Sequence, residues 1–131
     1  MDYSTLISEL KITNDNNRRN EIALILMDMR CNEAIPALIE IISNPLYANN
    51  IGTLIYALEN LDCANYLLDI LHIIFHGNWE ASNNLLSVFK EKYKYMNETD
   101  KIKCRDMFIE ERARAEDTIE MINDTLSKII V

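Results

Sequence analysis

The chain repeats itself, and that repeat limits what it can fold into more than any other feature. A shift of 32 residues lays 21–42, "EIALILMDMRCNEAIPALIEII", on 53–74, "TLIYALENLDCANYLLDILHII". Ile22 falls on Leu54, Leu26 on Leu58, Met29 on Leu61, Cys31 on Cys63, Ile35 on Leu67 and Leu38 on Ile70. Apolar residues match apolar residues at positions spaced three and four apart, which is the period of a helix face. A weaker third register follows, with Leu86 and Phe89 falling 32 residues after Leu54 and Ala57. A repeat of this length is one supersecondary unit that cannot bury its apolar face alone and must stack on its neighbours.

Each unit reads as a helix, a turn and a second helix. The spacing predicts helices over 18–29 and 33–43, then over 48–61 and 64–76, with a third first helix over 79–96. Pro36 sits in the first turn of its helix, where a missing N–H costs little. Asn44 before Pro45 ends that helix, because a residue preceding proline is pushed out of the α region. Gly77-Asn78 is a C-terminal cap signal. A short helix is expected over 3–10, capping residues over 13–17, and a long last helix over 100–129 after the "NETD" turn at 97–100. Two Gly and two Pro in 131 residues are too few for the turns a sheet protein needs. The expectation is an all-α chain forming a single domain, 1–131, with a repeat core at about 18–96 and a C-terminal capping helix at about 100–129.

The second-helix segment "NEAIPALIEII", with its early proline, resembles the HEAT-like helical repeat family. "RRNEIALILMDM" and "NNIGTLIYALENLD" look like that family's first helices. The resemblance covers residues 18–76 well and 79–96 loosely. It implies a short α-solenoid of about three helical hairpins whose second helices line a concave surface. The 32-residue period is shorter than usual for that family, and the last helix has no counterpart in its pattern.

Charge narrows the function. The formal net charge is −8, and no Lys or Arg occurs between Arg30 and Lys90, a span that contains Glu33, Glu40, Glu59, Asp62, Asp69 and Glu80. Such a stretch repels phosphate backbones, so direct nucleic-acid binding is not expected, and it attracts a basic partner. "KEKYKY" at 90–95 is the dense basic segment and reads as a solvated helix end. The start of the chain, "MDYSTLISEL", is acidic and polar, unlike a secretory signal. No apolar run is long enough to span a membrane. Three cysteines without a CxxC pair read as reduced thiols of a cytoplasmic protein, with Cys31 and Cys63 half-buried in equivalent turns and Cys104 packed inward. Trp79 is expected to staple the start of its helix to the preceding unit, with an exposed binding anchor as the alternative, and Tyr47, in a loop between units, is the tyrosine expected to be exposed.

The only two histidines, His72 and His76, are four residues apart, with Asp69 three residues before the first. Two His at i, i+4 can grip a metal ion, but a further ligand is needed and no HExxH base is present. No nucleophile constellation or Gly-rich loop accompanies them. The repeat supplies another reading. Asn65, Asp69, His72 and His76 fall on Glu33, Ala37, Glu40 and Asn44, so each second helix carries a stripe at spacings of 4, 3 and 4, opposite its Ile/Leu face. By the HEAT-like resemblance this stripe faces the concavity and belongs to a binding surface rather than to a catalytic or metal site. No enzyme activity, metal or cofactor is expected.

Small, acidic, single-domain HEAT-like chains resemble the immunity proteins of contact-dependent growth inhibition and polymorphic toxin systems. The resemblance, together with the abundance of Ile, Asn and Lys, implies a bacterial protein that neutralises a basic, nuclease-type toxin. The expected contact residues are Glu33, Glu40, Asp69, His72 and His76 on the concave face, Glu59 and Asp62 at its rim, and Tyr47. The alternative is a HEAT-like scaffold or adaptor that binds another basic protein or peptide. A monomer is expected, with no membrane contact.

Overall fold

Among the described residues seven α-helices follow one another. The computed structural model describes residues 2–130, apart from the side chains at 118, 122, 126, 129 and 130. Among the described residues there is no strand. Two units are distinguished, Met1–Met96 and Asn97–Val131.

The first unit contains six helices. They are α1 (Tyr3–Ile12), α2 (Asn16–Asp28), α3 (Ile35–Ser43), α4 (Gly52–Glu59), α5 (Leu67–His76) and α6 (Trp79–Lys92). Their starts follow from capping chemistry. Asp2 accepts from the Ser4 N–H, Asp15 from the N–H groups of Asn17 and Arg18, and Asn78 from that of Ala81. Each carboxylate or amide thereby satisfies backbone donors that have no partner inside the helix.

The 32-residue shift survives into three dimensions. Short 3-10 turns at Asn32–Ala34 and Ala64–Tyr66 lead directly into α3 and α5, so the turns and the helix starts are both displaced by 32. Equivalent residues are buried together: Ile22 with Leu54, Leu26 with Leu58, Cys31 with Cys63, Ile35 with Leu67, and Leu38 with Ile70. Each such aliphatic side chain removed from water contributes on the order of 1.5–3 kcal/mol before the cost of ordering it. In the packing, α4 lies between α2 and α6, while α3 touches α1, α4 and α5. The heads of α3 and α5 are tied by a hydrogen bond from the Asp62 N–H to the Asn32 side-chain oxygen, 3.0 Å. Their tails share a groove, described below. The two second helices of the repeat therefore run parallel.

The hairpins are not identical. The backbone at Arg30 is left-handed, φ 55°. With it, the Arg30 N–H donates to Met27 O and the Cys31 N–H to Leu26 O, the paired bonds of a Schellman ending. This closes α2 at Asp28 and leaves Met29 46% exposed. Leu61, its counterpart, is buried. There α4 ends on Asn60, whose side chain donates to Tyr56 O, and the chain turns Leu61 under the hairpin.

Several boundaries differ from those the sequence predicts. The helix expected from residue 48 starts at Gly52, because Pro45–Tyr47 forms a 3-10 turn of its own. Its start is capped by Asn44, whose side chain accepts from the Leu46 N–H. The helix expected to reach Met96 stops at Lys92 and passes into a 3-10 turn, Tyr93–Tyr95. Gly77 does not take the left-handed conformation of a glycine cap. Its φ is −84°, and its N–H closes on Ile73 O at 2.6 Å. A Cβ here would lie 2.6 Å from that same carbonyl oxygen, so close approach, not positive φ, demands glycine.

The second unit is α7 (Glu98–Ile130). It begins two residues before the expected start. Asn97 accepts from the Asp100 N–H and donates back to the Asp100 carboxylate, a reciprocal cap. Salt bridges along its surface join Glu111 to Arg114 and Asp124 to Lys128. Ile119 on this helix is exposed.

Candidate functional site: a groove at the tails of α3 and α5

The polar stripe predicted on the second helices is largely where the periodicity puts it. Glu33, Glu40 and Asn44 along the first hairpin, and Asn65, Asp69, His72 and His76 along the second, are all exposed. Ala37 is the exception: it is buried, at 2% exposure. The stripe on α3 is thus interrupted, and that on α5 is continuous.

The structure gathers a groove of about 460 Å³ at the end of this stripe. One wall is the tail of α3 and the turn after it: Ile42, Ser43, Asn44, Pro45 and Ala48. The other is the tail of α5 and the head of α6: His72, Ile73, His76, Gly77, Asn78 and Ala81. The imidazole rings of His72 and His76 lie 4.6 Å apart, centroid to centroid, and are tilted by 51°. Leu46 and Trp79, the chain neighbours of Pro45 and Asn78, are exposed. Trp79 is 80% exposed, so it is not the staple that the sequence led us to expect. It is the first residue of α6.

Of the eight residues anticipated as contacts, only His72 and His76 line this groove. Glu40 and Asp69 are exposed partway along α3 and α5. Glu33 and Asp62 are exposed at the heads of the hairpins, the end opposite the groove. Glu59 is half-buried on α4. Burial pushes its carboxyl above the usual range, the neighbouring Glu91 carboxylate pushes it further, and Lys92 opposes both.

Tyr47 is the clear correction. It is half-buried, with the Arg19 guanidinium 4.3 Å from its ring centroid. Arg19 is itself 1% exposed and donates to the Asn16 side chain and to Thr13 O, both at 2.5 Å. A buried guanidinium needs acceptors and a π face in place of water, and Tyr47 supplies the latter. The exposed tyrosine of the three in this region is Tyr56, at 53%.

The burial of Arg19 has a signal in the sequence: it falls on the same helical face as Ile22, Ala23 and Leu26. The groove walls also have a sequence trace. The two second helices end at breaks, Asn44-Pro45 and Gly77-Asn78, which the 32-residue shift brings nearly into register.

The thiols of Cys31, Cys63 and Cys104 are buried. Burial raises the Cys63 thiol to about 11 and shifts Cys31 the same way, with the Glu33 carboxylate adding to it. These groups are not poised as thiolate nucleophiles. No helix among the described residues is long and apolar enough to cross a membrane. No family model, curated protein or solved structure matches the chain.

Proposed function

We propose that this chain is a bacterial immunity protein that acts in the cytoplasm by binding and neutralising a basic, nuclease-type toxin, and that its hairpins form a short HEAT-like solenoid. One observation carries the reading. Residues 31–89 contain no Lys or Arg, while Glu33, Glu40, Asp62 and Asp69 are all exposed. A one-sign field of this kind steers a cationic partner and raises its association rate. A nuclease surface that holds a phosphate backbone with Lys and Arg is complementary to it, and carboxylates occupying those cations would keep substrate out. The serial packing of α2, α4 and α6 and the parallel course of α3 and α5 support the solenoid part of the reading. In this proposal Glu40, Asp69, His72 and His76 form the central contact surface, with Glu33 and Asp62 towards one end.

The test is charge reversal. The E40K/D69K variant should keep its helical circular dichroism and weaken the complex by about 3 kcal/mol, as expected when charge pairs at an interface are inverted. The partner to use is the product of the adjacent gene, co-purified with the chain. Unchanged affinity in that variant removes the acidic-face reading. A second reading, a scaffold that binds a basic peptide, is favoured by the groove with Leu46 and Trp79 exposed beside its walls. The absence of any toxin gene next to this one, with retained peptide binding, would favour it.

A further inference from the structure

We infer that His72 and His76 form a two-nitrogen site for a divalent transition-metal ion, open to the groove at the tail of α5. The argument begins with geometry. Zn–N bonds of ~2.0–2.1 Å and ligand angles of ~90–110° place the centroids of two coordinating imidazoles ~4.5–5.3 Å apart. The rings of His72 and His76 are 4.6 Å apart and tilted, not stacked. One helical turn separates the two side chains, both are exposed, and both face the same groove. The ring spacing therefore fits two imidazoles that share one ion.

The surroundings agree. The other polar amides lining the groove have their oxygens engaged in capping: Asn44 accepts from the Leu46 N–H and Asn78 from the Ala81 N–H. The imidazoles are left as the nitrogen donors facing the groove. His76 lies in the last turn of α5, where the carbonyl end of the helix favours a cation, and the exposed Asp69 lies one turn back on the same face. Among the described residues no group of three or more His, Cys, Asp or Glu is arranged to hold a metal. The protein thus supplies two ligands and leaves two tetrahedral positions to water or to donors from another molecule. Imidazole donors select Zn²⁺, Ni²⁺ and Cu²⁺ over Mg²⁺ and Ca²⁺. With two protein ligands the affinity should be far below that of a four-ligand structural site.

The experiment uses the full chain without any partner, so its outcome is independent of the toxin-binding proposal. Zn²⁺ is titrated by calorimetry, and Ni²⁺ is added to the isotope-labelled protein for NMR. The inference requires one Zn²⁺ per chain and Ni²⁺ broadening centred on residues 72–77. It also requires at least a tenfold loss of Zn²⁺ affinity in each of H72Q and H76Q, with circular dichroism unchanged. No Zn²⁺ binding up to millimolar concentration overturns it. So does binding that persists in the H72Q/H76Q double variant, or broadening centred elsewhere in the chain.

Discussion

The Asn32 side-chain oxygen accepts the backbone N–H of Asp62 at 3.0 Å. It bridges two turns that lie 30 residues apart and clamps the heads of α3 and α5 together. Asn32→Ala leaves the Asp62 N–H to water at an exposed site, so the cost should be about 0.5–1 kcal/mol. Urea denaturation is expected to show a lower midpoint with an unchanged slope. Asn32→Asp keeps the acceptor and should recover most of the loss.

Arg19 joins the start of α2 to the turn containing Tyr47. Arg19→Ala removes two charge-assisted hydrogen bonds and a cation–π contact and leaves a void, at a combined cost of about 3 kcal/mol. Arg19→Lys keeps the charge but lacks the planar fork, and should cost about half as much. Thermal unfolding of the two variants beside Tyr47→Leu tests this, because the Arg19 and Tyr47 losses should be non-additive.

Arg30 holds a left-handed backbone at the end of α2, a conformation disfavoured in any residue with a Cβ. Arg30→Gly should stabilise the chain by about 0.5–1 kcal/mol. Chemical denaturation reads the sign directly, and a destabilised variant would show that the arginine side chain matters more than its backbone.

Glu59 should make stability fall as pH rises. Its folded-state carboxyl lies above the ordinary 4.5, first through burial and then through Glu91, so between the unfolded and folded values the native state binds more protons than the unfolded chain. Stability is therefore greatest below 4.5 and declines through that window. Glu59→Gln should raise the melting temperature at pH 7, with the gain shrinking as the pH is lowered to 4.

Glu9 acts in the opposite direction. Its carboxylate receives two hydrogen bonds from Arg18, at 2.5 and 2.8 Å, which hold it below the usual range. The pair ties α1 to α2 above the unfolded-state value of Glu, and its contribution is lost as pH falls through the depressed one. Glu9→Gln should thus be less stable than the parent at pH 7 and indistinguishable from it at pH 2, measured by the same melting series.

The all-helical class and the paired hairpins were legible in the sequence. A 3.6-residue apolar period and a 32-residue self-match are local or additive signals, which is why Ile22 and Leu54, or Leu38 and Ile70, could be matched before any coordinates. Exposure of Glu40, Asp69, His72 and His76 followed from the same periodicity, since residues opposite a buried stripe face water. Tertiary structure decided the rest. Tyr47 and Trp79 exchange their expected environments because burial of an aromatic depends on what arrives from elsewhere in the chain: an arginine 28 positions earlier covers Tyr47, and among the described residues nothing comparable covers Trp79. The groove has the same origin. Asn44-Pro45 and Gly77-Asn78 each read as a helix end, but only the parallel packing of α3 and α5 sets those ends side by side and turns a polar rung into a cavity with two imidazoles in its wall.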